Sequence, residues 1–243
     1  MPAPTRPTAV VLGVGPGLGM SIAHRFGREG YAVALASRTA ERHAGYLADL
    51  AEAGVTAEAF TADVRDRDRL LATLDAIAGR FGAIDLVYYG PGAADLATHP
   101  EPITETGSAD AARAMATVYP AFDVVGRVLP GMVERGSGGL LFAGGLSSVR
   151  PMPMLGALNI ASAALRTYAL TLNAALAETG VYAGTLTIGA LIERGDIHRA
   201  VTSWPDWPGG AAVGTGDPDE IAETAWRMLA ARDRAEEVIN ALV

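Results

Sequence analysis

The sequence contains no lysine, so arginine supplies all 19 of its basic residues. This absence excludes a lysine ammonium that would lower the pKa of a neighbouring acid. Cysteine is also absent, which excludes disulfides, thiolate metal sites and thiol catalysis. The four histidines are scattered and form no metal-binding spacing, so we expect no metal site. A general compositional bias toward arginine, alanine and glycine would also remove lysine.

The composition does not favour nucleic acid or membrane partners. A net charge of -8 and an isoelectric point near 5.0 disfavour binding to polyanions. No apolar run approaches the roughly 20 residues of a membrane span, and the stretch from Met1 to Pro7 lacks the apolar centre of a signal peptide. We therefore expect a cytoplasmic protein whose partner is neither nucleic acid nor a membrane.

Strand-like and helix-like segments alternate along the chain, which indicates a parallel sheet covered on both faces. With 243 residues and half of them apolar, the chain fits one domain over residues 1–243. The expected strands are Thr8–Gly13, Tyr31–Ser37, Val55–Ala62, Ile84–Tyr89, Leu140–Ala143 and Val181–Ile188. The expected helices are Leu18–Gly30, Ala40–Ala53, Asp66–Arg80, Ala109–Glu134 and Gly156–Glu178.

One stretch departs from this alternation. Ala190–Gly216 is rich in glycine, proline and tryptophan, and a long irregular loop in a compact domain is usually functional. Within it, Trp204 and Trp207 could close an apolar pocket over a substrate or anchor the loop to the core. We interpret the stretch as a substrate loop.

A glycine-rich turn joins the first expected strand to the first expected helix. Gly13, Gly17 and Gly19 allow a tight turn and a close approach of the backbone to a ligand, and Leu18 begins the helix. The free N–H groups of a helix N-terminus, with its positive dipole end, suit a pyrophosphate. The pattern therefore predicts a dinucleotide site rather than a purely structural turn.

The end of the second strand indicates which dinucleotide is bound. A carboxylate there would accept a hydrogen bond from a ribose 2′-hydroxyl and repel a 2′-phosphate. The sequence instead has Ser37, Arg38 and Thr39, which can pair with or donate to a phosphate. We therefore expect NADP as the cofactor, although Arg38 could also begin a solvated turn.

With these motifs the chain resembles the short-chain dehydrogenase/reductase superfamily from about Thr8 to Gly189. Besides the glycine turn, Asp63 and Val64 resemble that family's adenine-contacting segment. Phe81–Asp85 resembles its approach to strand four, and Val128–Met132 the end of its long fourth helix. The resemblance implies a doubly wound α/β Rossmann-type sheet of about seven mainly parallel strands, assembled as a homodimer or homotetramer. It also implies that Gly189, after strand six, lies at the cofactor.

The same resemblance indicates an atypical active site, without the family's four catalytic side chains. The family's asparagine falls on Thr117, its serine on Gly145, its tyrosine on Leu158 and its lysine on Ser162. In the family the tyrosine transfers the substrate proton, the lysine lowers its pKa, and the serine orients the carbonyl. Leucine carries no titratable proton, so ordinary carbonyl reduction by this mechanism is not expected.

Three residues are candidates to replace that chemistry. Tyr89 lies at the carboxyl end of strand four, where open α/β sheets bind ligands, or it packs in the core. Asn159 neighbours Leu158 and could bond the nicotinamide ribose. Glu193 could accept from the nicotinamide carboxamide, act as a base, or remain a solvated glutamate.

Three classes of function remain open from the sequence. The first, which we favour, is a divergent NADP(H)-dependent oxidoreductase with a non-standard proton donor. The second is a non-redox enzyme on the same fold, such as an isomerase, dehydratase or cyclase. The third is a non-catalytic sensor that binds NADP(H).

Overall fold

A computed structural model describes residues 6–92, 101–203 and 213–242. The strands are β1 (Thr8–Leu12), β2 (Ala32–Ser37), β3 (Ala57–Thr61), β4 (Leu86–Tyr89), β5 (Gly138–Gly145), β6 (Val181–Gly189), β7 (Leu191–Ile192), β8 (Thr215–Gly216) and β9 (Glu236–Asn240). The helices are α1 (Leu18–Arg28), α2 (His43–Glu52), α3 (Arg67–Phe81), α4 (Ser108–Met115), α5 (Tyr119–Arg135), α6 (Ala157–Ala175), α7 (Asp196–Thr202) and α8 (Pro218–Ala231).

Seven strands form a single parallel sheet in the order β3-β2-β1-β4-β5-β6-β9. This confirms the predicted single-domain, doubly wound α/β fold. The order reverses direction at β1, so the loops after β1 and β4 diverge at the carboxyl edge. A crevice at such a switch point is where open α/β sheets bind ligands.

The strands are buried on both faces, as parallel strands usually are. In β1, Val10 and Leu12 pack with α3, α5 and α6, whereas Ala9 and Val11 pack with α1, α2 and α8. This alternation follows from the two-residue period of a strand. The sheet is thus packed between two apolar layers, and the loops at its carboxyl edge all start from this rigid core.

The prediction of one helix over Ala109–Glu134 is wrong, because the structure divides it into α4 and α5. Pro120 lies at the start of α5, has no backbone N–H, and would clash with the carbonyl four residues earlier in a continuous helix. Between the two helices the backbone forms hydrogen bonds to the carbonyl three residues earlier. Thr117 N donates to Ala114 O, and Val118 N donates to Met115 O.

The expected irregular loop over Ala190–Gly216 is more regular than predicted. Its described residues include β7, β8 and α7, and β7 pairs with β8 in a short parallel ladder. Trp204 and Trp207 lie outside the described residues. Among the described helices, none combines the length and the apolar character that a membrane-spanning helix requires.

Candidate cofactor and active site

The glycine-rich turn between β1 and α1 is built by two close backbone approaches. Gly13 has a φ of +85°, and a Cβ on it would lie 2.5 Å from Pro91 Cα and 2.6 Å from Gly90 O. Gly13 N and Val14 N both donate to Ala36 O, at 2.9 and 3.1 Å. The turn is therefore held between the ends of β2 and β4, which leaves no room for a side chain at Gly13.

Gly17 and Gly19 have different neighbours. A Cβ on Gly19 would lie 2.8 Å from Val14 Cα, so the turn closes on itself there. A Cβ on Gly17 would lie 3.1 Å from both Glu193 O and Gly195 N. The sequence interpretation placed only a ligand near Gly17, whereas the structure brings the chain that follows β6 against it.

The first turn of α1 is suited to an anion. No side chain caps it, and none of its residues is acidic. Leu18 begins the helix and is buried, so the turn is anchored in the core, and Met20 N donates back to Gly15 O at 3.1 Å. The first N–H groups of a helix have no partner within the helix. Such N–H groups bind phosphate oxygens without any charged side chain.

Hydroxyl and cationic side chains gather at the end of β2. Ser37 Oγ donates to Thr39 O at 2.9 Å and lies 2.7 Å from His43 Nε2. Arg38 is exposed, and among the described residues it has no ion-pair partner. Burial lowers the pKa of His43, so its ring is neutral near neutral pH. The position lacks the carboxylate that would repel a 2′-phosphate.

The segment after β3 is positioned by a local ion pair. Asp63 accepts hydrogen bonds from the backbone N and the Nε of Arg65, both at 3.0 Å. The Arg65 guanidinium is the main cause that lowers the pKa of Asp63. Val64 is buried in the core. The Asp63 carboxylate is therefore already paired with Arg65, and an adenine bound at this segment would lie beside that pair.

Residues 193–199, here called the strap, follow β7 and cross the start of α1. Arg194 reaches Ser21 Oγ at 3.2 Å and the Asp219 carboxylate at 2.8 Å. Asp196 pairs with Arg42 through two hydrogen bonds of 2.7 and 3.0 Å. The strap thus spans from the end of β7 to the start of α2, over the glycine-rich turn.

Glu193 lies at the base of the strap. Its Oε1 accepts from Thr215 Oγ1 at 2.8 Å, and its backbone N donates to Gly216 O at 3.0 Å. The Glu193 side chain therefore helps to join β7 to β8, while its backbone lies beside Gly17.

Gly189, the residue that the resemblance places at the cofactor, ends β6. Its carbonyl accepts a hydrogen bond from Ala241 N at 3.0 Å.

Tyr89 is a core residue in this arrangement. It is 1% exposed, and its hydroxyl donates to Thr117 O at 2.6 Å. Burial raises the pKa of this phenol well above its usual value. A sealed phenol with a raised pKa and a backbone partner is a poor proton donor, so the geometry does not support the predicted catalytic role.

Asn159 anchors the start of α6. Its Oδ1 accepts from Met152 N at 3.0 Å, and its Nδ2 donates to Met152 O at 2.9 Å and to Gly156 O at 2.8 Å. Both ends of the amide are therefore used to hold the turn before the helix. A bond to a nicotinamide ribose would require one of these contacts to be given up.

The carboxyl end of β5 presents glycine and serine. A Cβ on Gly145 would lie 3.2 Å from Ser162 Oγ and 3.3 Å from Ser147 Oγ. A Cβ on Gly144 would meet open space. The hydroxyl of Ser162 on α6 thus lies next to the space that a side chain at position 145 would occupy, a contact that sequence reasoning did not anticipate.

Sequence reasoning also missed His43 and the pair of Arg42 with Asp196. The signal for His43 was its position at the first residue of α2, which returns the chain to the end of β2. The pair joins residues 154 positions apart, and no local pattern in the sequence could have indicated it.

Comparison with known proteins agrees with this geometry. The family model described as short chain dehydrogenase matches residues 7–200. An uncharacterized oxidoreductase of Bacillus subtilis (strain 168), UxuB, is 28% identical over 77% of this chain and 72% of its own length.

Two solved structures share the fold. An actinorhodin polyketide ketoreductase structure with NADPH superposes with a TM-score of 0.84, at 24% identity, covering 100% of this chain and 98% of the other. L-Sorbose reductase from Gluconobacter frateurii, complexed with NADPH and L-sorbose, also gives 0.84, at 20% identity, covering 98% of this chain and 96% of the other.

Proposed function

The chain belongs to the short-chain dehydrogenase family, and on this basis we propose that it is an NADP(H)-dependent oxidoreductase acting on a small molecule. The observation that carries the cofactor assignment is the Ser37–Arg38 pair at the end of β2, beside the glycine-rich turn. Among the described residues Arg38 forms no direct ion pair: the nearby Asp63, whose pKa the charge of Arg38 helps to lower, pairs directly with Arg65. The Arg38 guanidinium can therefore turn its donors to a phosphate. No observation favours the non-redox or sensor alternatives.

The proposed cofactor site extends along the carboxyl edge of the sheet. Its pyrophosphate would lie at the turn of Gly13, Gly17 and Gly19, against the N–H groups that begin at Leu18. Its 2′-phosphate would contact Ser37 and Arg38, its adenine Asp63 and Val64, and its nicotinamide end the chain after Gly189. NADP(H) would supply the hydride when bound, while this chain's residues bind, orient and exclude water.

We also propose that the proton is transferred without the family's tyrosine and lysine, because positions 158 and 162 are Leu158 and Ser162. Of the three predicted replacements, Glu193 is the carboxylate, and its backbone lies beside the glycine-rich turn while its side chain accepts from Thr215 Oγ1. Ser147 and Ser162 offer two hydroxyls near Gly145 that could hold a substrate oxygen. Tyr89 and Asn159 are less favoured, because the one hydroxyl of Tyr89 and both ends of the Asn159 amide are bonded within the fold, whereas among the described residues only one oxygen of Glu193 has a partner.

Consumption of NADPH across a panel of small aldehydes and ketones tests this proposal. We expect slow turnover that falls at least tenfold, about 1.4 kcal/mol of barrier, in Glu193→Gln. Tyr89→Phe is the matched control, since it removes a hydroxyl from the core and should leave turnover within about twofold. A loss in Tyr89→Phe with none in Glu193→Gln would reverse the assignment, and no turnover with any substrate would contradict the oxidoreductase.

Self-association through α5 and α6 is also part of the proposal. Phe122 and Ile160 are 48% and 50% exposed, and Phe122 stacks on Tyr168 with ring centroids 3.9 Å apart. An exposed apolar face of this kind usually marks an interface. We expect light scattering to give a dimer or tetramer and Ile160→Glu to give a monomer, whereas Ile197→Glu, on α7, should leave the oligomeric state unchanged.

A further inference from the structure

His43 lies against the proposed phosphate subsite, although it plays no part in the family motif. It begins α2, it is 8% exposed, and its Nε2 lies 2.7 Å from Ser37 Oγ. Ser37 ends β2 and precedes Arg38. The turn between the two elements therefore folds an imidazole back onto the hydroxyl that would meet the phosphate.

The bonding of the Ser37 hydroxyl defines what the imidazole does. A hydroxyl has one proton to donate, and that of Ser37 is directed at Thr39 O, 2.9 Å away. The remaining contact, with His43, is then made by an Nε2–H that donates to the serine oxygen. Because burial lowers the pKa of His43, a neutral ring with a single N–H is the form that makes this bond near neutral pH.

We propose that His43 is a positioning residue for the 2′-phosphate of NADP(H), acting through Ser37. When a phosphate oxygen is present, the serine turns its proton from Thr39 O to that oxygen, while His43 continues to donate to the serine. The His43 N–H then donates to Ser37 Oγ, and the Ser37 hydroxyl donates to the phosphate. The two hydrogen bonds in series strengthen each other. This inference rests on the proposed NADP(H) function.

The states of the two neighbouring arginines make the Ser37–His43 hydrogen bond more important for binding a phosphate. Arg42 is adjacent to His43, but its guanidinium is held by Asp196 through two hydrogen bonds. Arg38 is thus the one guanidinium at the end of β2 that, among the described residues, remains without an ion pair. Since Arg42 is held by Asp196 and the charge of Arg38 also interacts with Asp63, the orientation of Ser37 contributes a larger share of the recognition of the phosphate.

A purely structural role for His43 would have a different signature. If the ring only packs α2 against β2, its replacement would loosen the whole edge and weaken NADPH and NADH alike. If it orients Ser37 toward the 2′-phosphate, its replacement would weaken NADPH alone, because NADH has no phosphate there. The ratio of the two affinities therefore separates the two roles.

The test is a fluorescence titration of the full chain with NADPH and with NADH. His43→Phe keeps a ring but no donor, His43→Gln places an N–H where Nε2 was, and His43→Asn places one where Nδ1 was. We expect His43→Phe and His43→Asn to weaken NADPH about three- to tenfold, with NADH changed less than about twofold. His43→Gln should recover most of the NADPH affinity.

A double-mutant cycle gives the second readout. In a Ser37→Ala background, His43→Phe should cause no further loss of NADPH affinity, since the group through which it acts is gone. Equal loss of both cofactors, no difference between His43→Gln and His43→Asn, or additive losses in the cycle would each overturn the proposal. The Gln and Asn variants decide the question even if His43→Phe does not fold.

The parent titration separates this inference from the function on which it rests. A parent that binds neither cofactor, or prefers NADH, overturns the NADP(H) assignment and this proposal with it. A parent that prefers NADPH, with the same preference in all three His43 variants, overturns the role of His43 and leaves the assignment intact.

Discussion

The loops that follow β1 and β2 differ in kind from those that follow β4 and β5, although all four end at the same edge of the sheet. The first pair presents a glycine-rich turn, an uncapped helix start and the side chains of Ser37 and Arg38. The second pair starts from glycines, with Gly90 directly after β4 and Gly144 and Gly145 at the end of β5. The first region has groups suited to an anionic nucleotide, whereas the second offers, at the positions of the family's serine, tyrosine and lysine, only Gly145, Leu158 and Ser162.

This difference follows from what each task requires. Binding a pyrophosphate depends on backbone N–H groups and close approach, which glycine favours. Proton transfer depends on a titratable side chain at a defined atom, which glycine and leucine cannot provide. A chain can therefore keep the first ability and change the second. The predictions below either break this contrast or sharpen it.

The largest effect is expected from Gly17→Val. The added side chain would meet Glu193 O and Gly195 N, which lie 3.1 Å from a Cβ at that position, and would intrude on the expected pyrophosphate. We expect NADPH affinity to fall by roughly 100-fold or more, which is about 2.7 kcal/mol, with the fold retained by circular dichroism. Gly15→Ala is the matched control, because a Cβ there meets no atom within 4 Å. Similar losses in both variants would contradict the assigned geometry.

Much of the nucleotide-binding region could be predicted from sequence, since the turn is a local pattern between a strand and a helix. The strap against Gly17 could not, because the contact joins residues about 176 positions apart in the chain. The position of Tyr89 at the end of β4 could be read from the sequence, but not that its hydroxyl bonds Thr117 O, 28 positions away. The break before Pro120 was visible in the sequence and was missed, because the apolar pattern continues through it.

An intermediate effect is expected from Glu236→Gln, which tests the ion pair that holds α6, the helix of Leu158 and Ser162, against β9. Glu236 receives two hydrogen bonds of 2.6 Å from Arg166 and one from Thr187 Oγ1, and both side chains of the ion pair are mostly buried. Removing the charge should cost about 1–2 kcal/mol near pH 7 by urea unfolding. Glu58→Gln, in an exposed pair with Arg80, should cost close to zero.

The pH dependence of that effect has a definite sign. The Arg166 guanidinium lowers the pKa of Glu236, so the carboxylate contributes stability above its unfolded pKa. That contribution is lost as the pH falls through the lower, folded pKa. The difference between the parent and Glu236→Gln should therefore shrink below about pH 4, and a difference that stays constant to acid pH would contradict the ion pair.

The smallest effect is expected from restoring two family side chains together, Leu158→Tyr with Ser162→Lys. Gly145 would still offer no hydroxyl, and a lysine on half-buried α6 would be partly desolvated, which lowers its pKa. Since such groups act as a unit, we expect NADPH consumption with simple carbonyls to change less than about twofold. A large gain would mean that the second region lacks only these two side chains.

The most direct test of the contrast is the affinity of the parent for NADPH and for NADH, measured beside Arg38→Ala. We expect NADPH to bind more tightly and the variant to lose roughly 1.5–3 kcal/mol, about 10- to 150-fold, for NADPH alone. Equal affinities in the parent, or an unchanged ratio in Arg38→Ala, would contradict the account that this edge of the sheet is an NADP(H) site.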